Sequence, residues 1–398
     1  MTRITSFALL ILIFFSCSEK NTPQYDLVIT DVGFFNGDKD MGTMHLAINA
    51  DTIAAISKEP LQADSLIDGK GKYIIPGLVN AHVHVSNLDE LKEGYNYGIL
   101  AYLNMHTSLE DREDQWKKMS KDSIGYPLLY GSGHAATVPG GHPNQFSPDM
   151  ETINDSISIE QWVDNRIAKG VDYIKIVRDN HPWLNYPPIP TLSFEQIGQI
   201  INYAKSKGYK TVVHSITMGD ILEIVKFKPD GFVHMMERTN ELPISDDDYK
   251  TLAESGAFIV PNAVYTLKSK EELPPFMKEW LNEHVFSTEQ AANSIKKLHE
   301  FGIPIIAGTD AQTGLVNFGS DYYLELEMYK RAGLSNLEIL KTATGNAAKG
   351  FDLPIGELKI GSKANMVMLN DNPLKDIENL KKVEQVWKNG KSKKIKKK

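Results

Sequence analysis

A chain of 398 residues, 41% hydrophobic and 24% charged, has room for one large core plus a smaller companion domain, and this composition excludes disorder throughout. A formal net charge of −8 excludes a generally basic, nucleic-acid-binding surface. With Cys17 the single cysteine, an intramolecular disulfide is excluded as well.

Residues 1–16 read as an export signal: Arg3 supplies the positive charge, and the uninterrupted apolar run Phe7 to Phe15 is too short to span a bilayer. Phe14-Phe15-Ser16-Cys17 resembles the lipobox of bacterial lipoproteins, so Cys17 is expected to carry a lipid and residues 17–24 to form the tether. The protein is then expected on the periplasmic or surface face of a bacterial cell envelope, meeting membrane only through that anchor. Over 25–75, the alternating runs YDLVIT, HLAIN and TIAAIS are separated by the turn clusters Asn36-Gly37-Asp38 and Asp68-Gly69-Lys70-Gly71, which predicts strands without room for helices. The same texture returns over 352–392 in ELKIGSKANMVMLN and KVEQVWKNGK. Together these segments predict a small β-sandwich built from both ends of the chain, followed by a solvated basic tail at 393–398.

Between 76 and 351, apolar strand-like runs at 78–84, 98–104, 127–131, 171–177, 210–214, 230–234, 257–261 and 303–308 alternate with amphipathic helical stretches. Eight such units predict an α/β fold, a (β/α)8 TIM barrel. Ser158 with Gln161, Ser193 with Gln196, and Ser335 with Glu338 predict capping boxes. Phe194, Ile197, Ile200, Ile201 and Ala204 give a helix over 193–207 a single inward face.

Five of the strand-like segments end in residues suited to a metal ion: His82 and His84, Lys175, His214, His234 and Asp310. Parallel barrel strands deliver their C-terminal ends to one mouth, where such distant residues converge. Residues two apart on a strand share a side, so His82 and His84 present both imidazoles to one ion while Val83 packs into the wall. Lys175 is unusual, because a buried ammonium is costly and has no lone pair. Its neutral amine, reacted with carbon dioxide, gives a carbamate suited to bridging two cations. Asp310 is placed both to bind metal and to accept a proton.

The motifs PGLVNAHVH, DYIKI, VVHS, AGTDA, TATGNAAKGF, GELKIGSKANMVMLNDNPL and VWKNGK resemble the amidohydrolase superfamily, within it the imidazolonepropionase-like and Xaa-Pro dipeptidase-like hydrolases. The resemblance covers nearly the whole mature chain. It implies that His82, His84 and Asp310 hold one divalent metal, that His214 and His234 hold the other, and that carboxylated Lys175 bridges them. It further implies attack of a shared hydroxide on a carbonyl, with Asp310 passing the proton to the leaving nitrogen. Zinc is the default for such ligands, and manganese, cobalt or iron suit them too.

The glycine-rich loop GSGHAATVPGGHP at 131–143 carries His134 and His142, and His142 is a candidate for carbonyl or oxyanion contact. Tyr265 is a second donor candidate for that carbonyl, and Arg178 and Arg238 are candidates to fork onto a substrate carboxylate. Two stretches depart from the relatives, VRDNHPWLNYPPIP and Met235-Met236-Glu237, and both are expected to line the pocket. Pro182 to Pro190 is expected to form a lid whose Trp183 and Tyr186 give an apolar wall. The leading expectation is a binuclear hydrolase of C–N bonds, of peptidase or amidase type, acting on a dipeptide or N-acyl amino acid. The alternatives are a one-metal hydrolase of cyclic amides or imidazolones and, from another class, a catalytically silent lipid-anchored binding protein. The run His214-Ser215-Ile216-Thr217 lacks the glutamate typical of superfamily deaminases, which disfavours deamination.

Overall fold

The structure is a computed structural model and describes residues 24–179, 188–236, 244–268, 275 and 287–395. The signal segment, Cys17, Trp183, Tyr186 and Arg238 lie outside the described residues. Among the described residues, no helix is long and apolar enough to cross a membrane.

The alternating runs near the N-terminus form β1 (Tyr25–Phe35), β2 (Asp40–Asn49), β3 (Thr52–Ser57), β4 (Ala63–Asp68) and β5 (Tyr73–Pro76). Short polar side chains fold the turns between them, as their backbone-bonding habit dictates. Asn36 Oδ1 accepts from the N–H groups of Asp38 and Lys39 at 2.9 and 2.8 Å, and Asp68 Oδ1 accepts from Lys70 N–H at 2.9 Å.

The central region supplies β6 (Leu78–Val83), β7 (Ile99–Asn104), β8 (Leu128–Gly131), β9 (Ile174–Val177), β10 (Thr211–His214), β11 (Gly231–Val233) and β12 (Phe258–Val260), all in parallel pairs. Their regular ladders make two open sheets, β6-β7-β8 and β9-β10-β11-β12, and not one continuous ring. The gaps between them are spanned by isolated parallel bridges at Ala136↔Ile176, Ile259↔Ile305 and Val83↔Ala311. The run expected as an eighth strand at 303–308 contributes only one of these bridges. Pro304 explains part of this, since it has no N–H to donate and serves the neighbouring strand only as acceptor, to Ile259 N–H at 2.9 Å.

Two of the three expected capping boxes form in full, Ser193 with Gln196 and Ser335 with Glu338. Ser158 caps its helix on one side only, accepting from Gln161 N–H. The helix Phe194–Ser206 buries Ile197, Ile200, Ile201 and Ala204, the inward face its spacing predicts.

The chain then returns as β13 (Met366–Leu369), β14 (Val383–Lys388) and β15 (Lys391–Lys394). Both chain ends share one eight-stranded sheet, ordered β15-β14-β13-β5-β1-β2-β3 with β4 beside β1. The basic tail is shorter than its lysine run, because Lys393 and Lys394 pair with Val386 and Gln385 in that sheet. An apolar cluster of Ile29, Phe34, Leu46, Met366 and Trp387 belongs to this sheet alone, separate from the main core. Burying each such side chain is worth about 1.5–3 kcal/mol. Lys388 locks the sheet to the central region: its buried ammonium donates to the carbonyls of Ser120, Ser123 and Tyr126, which end and follow the helix Glu110–Asp122.

Candidate metal centre

The end of β6 and the 307–311 segment are stitched together before any side chain is considered. Ala81 N–H donates to Ala307 O, Asp310 N–H to His82 O and His84 N–H to Ala311 O, at 2.9, 2.8 and 2.7 Å. Buried Asn80 reinforces the contact, donating to Thr309 Oγ1 at 2.8 Å and accepting from Thr309 N–H at 3.0 Å. Such close passage needs a glycine: a Cβ on Gly308 would lie 2.9 Å from His82 N and 2.5 Å from Val260 Cγ1. Asp310 is thereby fixed beside His82 on β6 and His84 just past its end.

Hydrogen bonds on the far side of each ring set its tautomer. His82 Nδ1 faces Asn262 Oδ1 at 2.9 Å and His84 Nδ1 faces the His106 carbonyl at 3.1 Å. Both partners only accept, so both Nδ1 atoms carry the proton and both Nε2 atoms present lone pairs. These two atoms lie 3.2 Å apart, and each faces Asp310 Oδ1, at 3.2 and 3.0 Å. Burial holds the His82 imidazole well below its ordinary pKa, so a proton is not its natural occupant. For Asp310, burial opposes ionisation, but His82, His84 and Lys175 outweigh it and hold the carboxyl well below the usual range. Three atoms that can each bind a cation therefore converge on one point.

The other predicted ligands gather around this point. His82, His234 and Asp310 each offer one ligand atom, all within 4.8 Å of one another. The His234 ring lies 4.2 Å from that of His214 and 5.0 Å from that of His82, centroid to centroid. Lys175 is 3% exposed, and its Nζ has no hydrogen-bond partner among the described residues. Burial pushes its ammonium down to about 7, with Asp310 pulling the other way. The donor set of imidazoles, a carboxylate and an orphaned amine fits divalent cations.

The amidohydrolase family pattern matches residues 73–393 of the chain. The chain belongs to the amidohydrolase family. It is a metal-dependent hydrolase acting on C–N bonds of small substrates. Ochratoxinase of Aspergillus niger is 23% identical over 376 residues, covering 80% of this chain and 75% of that protein. Imidazolonepropionase of Treponema denticola is 23% identical over 387 residues, covering 83% and 85%. Among solved structures, a Xaa-Pro dipeptidase with methionine in its active site superposes with a TM-score of 0.78 at 18% identity, covering 92% of this chain and 99% of that one, and shares the α/β fold.

Around this amidohydrolase centre the expected substrate contacts behave differently from one another. His142 sits at the mouth with its ring centroid 5.1 Å from that of His214, and Gln145 Nε2 lies 2.8 Å from its Nδ1. Burial pushes its imidazole down to about 3, so it is neutral. Tyr265 spends its phenol proton on the backbone carbonyl of Asp310 at 2.9 Å, where the sequence suggested a substrate carbonyl. Arg178 is likewise committed within the protein: it donates to Asp220 Oδ2 at 3.2 Å and Leu192 O at 2.7 Å, with its guanidinium 4.4 Å from the Phe194 ring centre. His134 accepts from Glu151 N–H at 3.2 Å through Nδ1.

Four residues not singled out in the sequence take part. Asn262 and the His106 carbonyl orient His82 and His84 respectively. The buried carboxylate of Asp179 lies 3.5 Å from His214 Nε2. Glu325, wholly buried, accepts from Val264 N–H close to Asn262. His234, Asn262 and Asp310 all adopt left-handed backbone, with φ of 82°, 59° and 55°. Such geometry costs about 1–3 kcal/mol per residue and clusters at functional sites.

Proposed function

We propose that this enzyme hydrolyses the amide or peptide-like bond of a dipeptide or N-acyl amino acid at a two-cation centre. The ligands in this reading are His82, His84 and Asp310 for one ion and His214 and His234 for the other, with Lys175 between them as a carbamate. The carrying observation is the convergence of His82 Nε2, His84 Nε2 and Asp310 Oδ1 within 3.0–3.2 Å, every one a lone-pair donor. The orphaned, neutral-leaning amine of Lys175 supports the carbamate, since only the unprotonated form adds to carbon dioxide. The reading takes the parallel bridges that link the two open sheets as closing an eight-stranded barrel, and the terminal sheet as folding over its own apolar cluster into a sandwich.

Divalent cations held here would supply a nucleophilic water near neutral pH and polarise the scissile carbonyl, with zinc the default. The chain's own part is orientation and proton transfer. Asn262 and the His106 carbonyl fix the two imidazoles, and Asp310, kept ionised by its neighbours, takes a proton through Oδ2 and returns it to the leaving nitrogen. In this reading His142, whose ring lies 5.1 Å from that of His214, meets the carbonyl oxygen. Export and attachment through Cys17 to a bacterial envelope complete the proposal.

A one-cation site acting on a cyclic amide has one observation in its favour: His82, His234 and Asp310 offer ligand atoms within 4.8 Å of one another, a set that takes His82 and Asp310 from one expected half of the pair and His234 from the other. Elemental analysis together with a dipeptide and acyl-amino-acid library decides. Two ions per chain with turnover of linear substrates is the expected result. One ion retained in Lys175→Ala would select the cyclic-amide reading, and a loaded centre with no turnover of any amide would overturn the assignment.

A further inference from the structure

Glu325 is a buried carboxylate with no obvious duty in hydrolysis. It lies on the helix Tyr322–Arg331, wholly shielded from solvent, and among the described residues it makes no ion pair. An ionisable group in that setting is costly unless its oxygens are satisfied. Its Oε2 accepts from Val264 N–H at 2.7 Å and its Oε1 from the Tyr329 hydroxyl at 2.8 Å. Burial pushes the carboxyl up to about 7, and the Tyr329 hydroxyl and the backbone N–H groups of Asn262, Ala263 and Val264 pull against it. These are successive amides at the end of β12, where the chain enters left-handed backbone at Asn262 (φ 59°) before the short helix Ala263–Leu267. Successive N–H groups in such a turn form a concave nest, and here the carboxyl group of Glu325 fills it.

What the nest fixes is Asn262. Its Oδ1 accepts the His82 Nδ1 proton at 2.9 Å, which forces the Nε2 lone pair toward Asp310. An Asn on unsupported left-handed backbone relaxes readily, and once its carboxamide turns, nothing selects the ligating tautomer of His82. We propose that Glu325 is a positioning residue for the metal centre, acting through the turn at Asn262 to hold His82 in its ligating tautomer and orientation. The inference rests on the metal-centre reading above and adds a residue 243 positions along the chain from His82, one that touches neither substrate nor cation.

The test uses full-length protein, stripped of metal and titrated with Zn2+ against a chromophoric chelator. Glu325→Gln keeps shape but removes the charge, and Asn262→Gly keeps the left-handed turn but removes the acceptor. Each is expected to weaken Zn2+ binding about tenfold, and both together by about tenfold instead of a hundredfold, because they break one link. In 15N-histidine spectra of the zinc form, the His82 Nδ1–H resonance is expected to shift or vanish in both variants. Lys388→Met, a core disruption remote from the centre, is expected to lower stability while leaving Zn2+ affinity unchanged. Glu325→Asp, charged but shorter, gives a second route if the Gln variant fails to fold, with a smaller loss of affinity expected. Wild-type affinity in a folded Glu325 variant would overturn the inference, and so would a fully multiplicative double variant. Wild-type protein that takes up no Zn2+ would instead overturn the metal centre itself, and this inference with it.

Discussion

Lys175 in metal-free protein is the sharpest physical test of the centre. Its ammonium drops from 10.5 to about 7 on burial, which corresponds to a preference of about 5 kcal/mol for the neutral amine over water. Between these two values the unfolded chain binds the proton and the folded chain does not, so folding is favoured as pH rises through this window. Below about pH 7 both states carry the proton, the slope vanishes and the whole burial penalty is present. Chelator-treated wild type and Lys175→Met, compared by urea unfolding in carbonate-free buffer, report this group together with its coupling to His82, His106, His234 and Asp310. The variant is expected to be more stable by up to about 5 kcal/mol at about pH 6, and its advantage to shrink by about 1.4 kcal/mol per pH unit above 7. Between about pH 6 and about pH 9 the gap should therefore narrow by roughly 3 kcal/mol. A gap that stays constant within about 0.5 kcal/mol over that range would show that the fold does not favour the neutral amine, and the case for the carbamate would fall with it.

Chelation is expected to abolish hydrolysis, and Zn2+ at about a hundredfold over its dissociation constant to restore it and add about 2.7 kcal/mol of stability, read by unfolding with and without metal. Arg178→Met is expected to cost about 1–3 kcal/mol through loss of its bonds to Asp220 and Leu192 O, with KM nearly unchanged. A tenfold rise in KM would instead make Arg178 a substrate contact. Tyr265→Phe removes one bond to the Asp310 carbonyl and is expected to cost about 1 kcal/mol and to lower kcat more than it raises KM. An effect on KM alone would return Tyr265 to the substrate.

The strand-like runs and the candidate ligands at their ends are legible because both are local patterns. His82 and His84 are two apart on an apolar strand, and Gly308 sits two residues before Asp310, where its missing Cβ lets the segments touch. The supporting residues are not, because their roles exist only across the fold: Asn262 meets His82 from 180 positions away. Glu325 did leave a trace. It shares a helix face with buried Tyr322, Leu326 and Tyr329, and an acid inside an apolar stripe asks for a buried partner. The eighth strand misled for the opposite reason: its apolar run is genuine, but hydrophobicity does not register that Pro304 breaks the donor pattern. Arg178 looked available because the sequence does not show Asp220 and Leu192 O closing around it.

The centre has a cost that the rest of the molecule must cover. Left-handed backbone at His234, Asn262 and Asp310, a buried amine and three facing lone pairs all oppose folding in the absence of a cation. What holds the site against them is the backbone around it: the bonds between the 307–311 segment and residues 81–84, and the buried pairing of Asn80 with Thr309. Because the ligand geometry is supported by this backbone, little of a cation's binding free energy goes into building the site, and most of it goes into relieving repulsion already present. Cation binding is thereby coupled to stability without being required for the fold. The same logic explains why the left-handed residues stand at or just past strand ends: a pleat alternates its side chains between the two faces of a sheet, and breaking it there turns a side chain toward the cluster of candidate ligands.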